Sequence, residues 1–212
     1  AGNLDLSEAK TNDMLQYEYG RSGLKIGLQL ADKLGVNPYQ FGFIGDTGTH
    51  NAAASNEEAN YTGRFAFEAD PSHRLLGLEG QPEGQKRQVR EFSSGGLAGV
   101  WAAENTRESI FDAMQRREVY ATTGPRMRVR FFAGWDFEAD EVHRPDFAET
   151  GYDRGVPMGS DLFAGPEGAA PTIMVRALRD PDGANLARIQ LVKGWLQAGE
   201  PPTRAFDVAW SG

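Results

Sequence analysis

Cysteine is absent from the 212 residues, which excludes disulfides, thiolate nucleophiles and zinc–thiolate sites while leaving the compartment open. Histidine is scarce, with only His50, His73 and His143 available to bind metal or carry a proton at neutral pH. Basic residues are outnumbered, 22 Lys and Arg against 30 Asp and Glu. The resulting net charge of −8 argues against nucleic acid as a general partner, because neutralising phosphates requires a basic surface. An acidic chain that handles anions needs a metal or a local arginine cluster. No run is apolar enough to span a bilayer, and no basic-then-apolar leader opens the sequence. Internal repeats and low-complexity tracts are also missing. The sequence starts at Ala1 in polar residues and stops at "DVAWSG", which reads as a strand just ending. We therefore expect a piece of a longer protein, so localisation stays open.

A 40% hydrophobic and 25% charged composition is that of a globular chain large enough for one large or two small domains. Residues 11–34 read as a helix, with Tyr17, Gly20, Leu24, Leu28 and Ala31 at helical spacing and a stop at Leu34-Gly35. "QFGFIG", residues 40–45, is bounded by Pro38 and Gly45 and predicts a buried strand. Residues 51–99 lack periodicity and are rich in Gly, Ser, Asn and acids, which suits a functional or mobile stretch. Asn105 with Glu108 three positions on predicts a capped helix running to about Arg117, its apolar face formed by Ile110, Phe111 and Met114.

From there the period changes. Met127, Val129 and Phe131 alternate with Arg126, Arg128 and Arg130, a half-buried strand with its arginines on a solvated face. "PTIMVRAL", "ARIQLVKGW" and "RAFDVAW" continue as strands, with Asp180-Pro181-Asp182-Gly183 as a turn between the first two. The expected class is α/β: an α/β portion over residues 1–124 and a β-rich segment over 125–212.

"FGFIGDTGTHNAA", residues 41–53, admits three readings. Asp46-Thr47-Gly48 matches half of an aspartic protease site, but that chemistry needs two such loops sharing one proton, and this chain has one. A glycine-rich turn after a strand is the plain reading. A strand followed by an acid and a histidine is also how a metal-dependent hydrolase places ligands at the end of a barrel strand. The acids between Asp136 and Asp153 lack EF-hand spacing and read as a solvated mobile loop. His73 and His143 read as surface histidines. Thr122-Thr123-Gly124-Pro125 followed by Arg126 is a sharp turn whose backbone N–H groups, hydroxyls and guanidinium could cradle a phosphate, with Thr123 and Arg126 as the substrate-binding side chains.

Several separated stretches share one resemblance: "NPYQFGFIG", "THNAA", "ENTRESIFDAMQRREVYATTGPRM", "VRFFAGW", "GVPMGSDL" and "DPDGANLARIQLVKGW". Together they resemble a large bacterial domain family of unknown function related to the PHP (polymerase and histidinol phosphatase) superfamily of metal-dependent phosphoesterases. The resemblance covers nearly the whole chain. It implies a partial, distorted β/α barrel followed by an appended β-rich segment, with the chain as the C-terminal part of the family domain. The missing N-terminal half would carry an H-x-H motif supplying the first metal ligands. It further implies a divalent metal (Zn, Mn or Fe), a small anionic ester as substrate, and a metal-activated water as the attacking group. The superfamily's last metal motif is D-x-H; His50 matches its histidine, while Gly48 stands at the aspartate's place and Asp46 is the substitute at hand. Loss of that carboxylate should lower metal affinity. The alternative is a catalytically degenerate barrel acting as a binding or interaction module.

Overall fold

The computed structural model describes residues 11–50, 65 and 95–211, which form two compact units. The first holds described residues of Ala1–Phe41 and Leu186–Gly212; the second holds those of Gly42–Glu79 and Arg87–Asn185. Helices and strands occur together, so the class is α/β in the general sense, and the described strands pair antiparallel in small sheets. His73 and most of residues 51–99 lie outside the described residues.

In the first unit a 3-10 turn, Asn12–Tyr17, precedes helix α1, Gly20–Leu34. The single helix expected over 11–34 is thus broken at Glu18-Tyr19, where Tyr19 takes extended angles as the N-cap. The predicted stop holds, because Gly35 adopts the left-handed C-cap conformation and its N–H donates to Ala31 O. Beyond it, Asn37 Oδ1 accepts from the Tyr39 N–H at 2.9 Å. At the other end of the sequence, the predicted strands appear as a hairpin whose members we number β6, Arg188–Gly194, and β7, Thr203–Trp210, with a bulge between Ile189 and Gln190. Gln29 of α1 donates to Gly199 O in its connection at 3.1 Å.

The second unit contains the core. Strand β1, Ala98–Val100, pairs with β2, Val119–Ala121, and helix α2, Arg107–Gln115, connects them. The cap of α2 is Thr106 rather than Asn105: the Thr106 hydroxyl accepts from the Ser109 N–H at 3.3 Å, and Ser109 Oγ accepts from the Glu104 N–H at 3.2 Å. Thr106 thus caps the N3 donor while the Ser109 hydroxyl reaches past the cap to the Glu104 N–H, which places Asn105 one residue outside the helix. The buried residue of α2 is Ala113, whereas Phe111 and Met114 are exposed, so the apolar face centres one position away from the expected one.

Strand β3, Arg128–Gly134, pairs with β4, Gly155–Pro157, on one side and β5, Thr172–Leu178, on the other. The inward face is set by Phe132, which has no exposed surface. Period-2 alternation then turns Arg130 inward with it, and the expectation of a fully solvated arginine face fails at that residue. The acidic stretch also differs from the expected mobile loop. It forms a 3-10 turn, Glu141–His143, and helix α3, Phe147–Arg154. Phe137 and Phe147 pack with Phe132 and Met174 as one core cluster, joined at its edge by Val142 and Ala148. These spaced apolar residues bury the segment despite its charge. Glu141 is buried with them, taking ion pairs from Arg154 and Arg144 and the Glu138 N–H. His143 is exposed, as expected.

The cap assignment is testable by urea denaturation. Thr106→Ala should lower stability by about 0.5–2 kcal/mol, and Asn105→Ala should stay within about 0.5 kcal/mol of wild type. The reverse order would restore Asn105 as the cap.

Candidate functional site

The segment expected as a buried strand, residues 40–45, forms no regular strand, and Phe41, Phe43 and Ile44 are exposed. Gly42 and Gly45 belong to the second unit and lie close to its Arg117 and Ala121. A Cβ at Gly42 would lie 3.0 Å from Arg117 Cβ, and one at Gly45 would lie 2.8 Å from Ala121 Cβ. Gly42 and Gly45 thus pack closely against Arg117 and against Ala121 of β2, where a side chain at Gly45 would force the neighbour to shift.

The loop that follows carries the sequence-predicted metal residues. The Asp46 carbonyl accepts from the Gly96 N–H at 3.3 Å, and Asp46 Oδ1 accepts from the Thr47 N–H at 2.6 Å. The Thr47 and Thr49 hydroxyls share a hydrogen bond of 3.0 Å. Gly48 has φ +65°, with open space where a Cβ would point. His50 is exposed, and its imidazole stacks on Phe65 with ring centroids 4.6 Å apart. Among the described residues, no group of three or more His, Asp or Glu side chains is placed to share a metal ion.

The Thr122–Arg126 turn adjoins this loop through Gly96 and Leu97. Thr122 is buried, and its hydroxyl accepts from the Leu97 N–H at 3.2 Å and the Gly124 N–H at 3.3 Å. The Arg126 N–H donates to Asp180 Oδ2 at 2.6 Å. That bond, followed by one from the Asp182 N–H, holds the Asp180 carboxyl below its ordinary 3.8. The Thr122, Gly124 and Arg126 backbone donors of the turn are therefore engaged within the fold. What the turn presents outward is the exposed Thr123 and Arg126.

A second constellation escaped the sequence reading. Glu118, next to β2, is buried at 3% exposure. Its carboxylate accepts a hydrogen bond from the Tyr152 hydroxyl of α3. Arg116 Nη2 lies 3.7 Å from it and Arg130 Nη2 4.0 Å. Arg130 Nη2 also donates to the Tyr152 oxygen at 3.0 Å. The Arg130 guanidinium lies 4.0 Å from the centre of the Trp101 ring, and Trp101 is fixed by donating Nε1–H to Val129 O at 2.9 Å. These residues line a pocket of about 460 Å³. The signal in the sequence was Arg130 standing two positions before Phe132, hence on the same strand face. Nothing in the sequence pointed from there to Glu118 or Tyr152.

The family described as "Protein of unknown function (DUF3604)" matches residues 1–212. The chain belongs to that family. The searches of curated proteins and of solved structures returned no match. Membership places the two constellations in a DUF3604 domain without attaching an activity to either.

In this DUF3604 domain, burial first, then the hydrogen bond and charge of Glu118, raise the Tyr152 pKa above its ordinary 10.0, while Arg130 opposes the shift. The folded state therefore holds the phenolic proton more tightly than the unfolded chain does. The stability this contributes is complete below the ordinary tyrosine value and is lost as pH rises through the higher folded value. The stability advantage of wild type over Tyr152→Phe should shrink above about pH 10. An advantage that stays constant with pH would contradict the assignment.

Proposed function

We propose that the chain is part of a PHP-like metal-dependent hydrolase acting on phosphate or related oxyanion esters. Residues 1–124 would belong to the C-terminal portion of its barrel and 125–212 to the appended β-rich segment. Two kinds of support stand behind this reading. One is the set of separated motifs that resemble the PHP-related family. The other, which carries most weight, is the link between the Asp46–His50 loop and the Thr122–Arg126 turn through Gly96 and Leu97. A candidate metal loop and a candidate anion turn thus flank one dipeptide.

The donor chemistry suits a divalent ion, since imidazole nitrogen and carboxylate oxygen are ordinary ligands of Zn, Mn and Fe. The number does not suffice among the described residues: His50 and Asp46 make two, and a catalytic zinc takes three protein ligands. The remaining ligands would come from the upstream H-x-H that the resemblance implies. When bound, the metal would polarise the ester and lower the pKa of a water. The chain's own part is binding and orientation. His50, stacked on Phe65, is held in one ring plane, and Thr123 and Arg126 offer a hydroxyl and a guanidinium to the ester's anionic oxygens.

Gly48 favours the second reading, a degenerate barrel used as a binding module, because it stands where the superfamily motif has its aspartate. An aspartate could be accommodated there: no atom would meet its Cβ within 4 Å, and Asp tolerates left-handed angles better than most residues.

Metal analysis and a phosphomonoester assay test the proposal on residues 1–212 and on a longer parent that includes the H-x-H. The short chain should hold no stoichiometric metal and show no turnover. The parent should gain both, lose both on His50→Ala, and bind metal more tightly on Gly48→Asp. A parent whose metal content and rate are untouched by His50→Ala would refute the metal assignment.

A further inference from the structure

We propose that the pocket beside Trp101, Arg116 and Arg130 binds a small organic monoanion with a compact apolar body, of the type of an aromatic carboxylate. The pocket is separate from the Asp46–His50 loop. Trp101 N–H donates to Glu118 O at 3.1 Å and closes one end of the β1–β2 pair, while Thr122 N–H donates to Leu97 O at 2.9 Å and closes the other, beside Asp46. The inference therefore stands whether or not the hydrolase reading does.

Charge sets the ligand's sign. Two guanidinium groups and one carboxylate line the pocket, leaving one positive charge uncompensated within it. Arg116 is 55% exposed at the side chain, and its long ion pair to Glu118 leaves its N–H groups without a hydrogen bond among the described residues. Arg130 spends Nη2 on Tyr152, and no described group bonds its Nη1. A carboxylate can take two parallel N–H bonds from such a fork. Glu118 sets the magnitude: with it, the pocket holds one uncompensated positive charge, which one ligand charge balances, whereas a dianion would leave a charge unpaired there.

Shape and preorganisation set the body. The indole of Trp101 with Ala102, Ala103 and Pro157 supplies apolar walls, and the volume of about 460 Å³ falls within the range of small-molecule sites. Arg130 is held against Trp101, Tyr152 and Glu118 before any ligand arrives, so little side-chain freedom remains to be lost on binding. An anion lacking an apolar part would leave those walls facing water.

The test is a titration of residues 1–212 at neutral pH, following the Trp101 indole N–H resonance assigned from the Trp101→Phe spectrum. Three probes separate the terms: benzoate, benzamidine with the same ring and opposite charge, and inorganic phosphate with charge but no ring. Benzoate should give a saturable shift at millimolar concentration or below. Benzamidine should give none, and phosphate should bind at least several-fold more weakly than benzoate. Arg116→Gln, at the exposed rim, should weaken benzoate roughly tenfold, the loss of one charge-assisted hydrogen bond, with an unchanged circular dichroism spectrum. No saturable shift with benzoate, equal binding of benzamidine, or an Arg116→Gln variant that binds benzoate as wild type does would each overturn the proposal.

Discussion

A buried carboxylate governs the second unit. Glu118 sits at 3% exposure next to β2, and taking a charge out of water is costly unless its partners come with it. Those partners come from three different elements. Arg116 lies at the end of α2, Arg130 on β3, and Tyr152 on α3. Trp101, just past β1, then covers Arg130 and bonds the β3 backbone. One carboxylate thus fixes how the β1–β2 pair meets the three-stranded sheet and its helix. The same tie leaves guanidinium donors facing a pocket, so stability and binding capacity arise from one arrangement.

The unit repeats this solution around its small apolar core. Four buried apolar side chains, Phe132, Phe137, Phe147 and Met174, form a cluster too small to specify the packing of so many charged residues on its own. Arginines fill that role. Arg154 and Arg144 reach the buried Glu141, and Arg176 spans the carbonyls of Val142 and Arg144 while lying 4.3 Å from the centre of the Phe147 ring. A chain of net charge −8 uses several of its cations internally, as planar donors that satisfy carbonyls and carboxylates together. The acidic character of the sequence is therefore a poor guide to local potential.

Legibility followed the range of the interactions involved. The hairpin at the C-terminus, the Asp180–Gly183 turn and the stop at Gly35 rest on neighbours in sequence, and their local patterns were sufficient. Thr106 was missed by one residue because its cap depends on Ser109 and Glu104 rather than on the acid at 108. The helix over Phe147–Arg154 was hidden by its charges, since the aromatic anchors that bury it come at irregular spacing. At the candidate site, His50 and Asp46 were readable as a motif, but the engagement of the Arg126 N–H by Asp180 joins residues 54 apart. The Glu118 network joins four chain segments and left no local pattern to read.

The central claim is that Glu118 and Arg130 act as one unit holding those segments together, and a double-mutant cycle tests it most directly. Unfolding free energies of wild type, Glu118→Gln, Arg130→Gln and the double variant would be measured by urea denaturation. Each single change strands a buried partner, so the double variant should be less destabilised than the sum of the two, by about 1–3 kcal/mol. Effects that add within about 0.5 kcal/mol would mean that the two residues act independently. Glu118 would then not be the tie on which the unit depends.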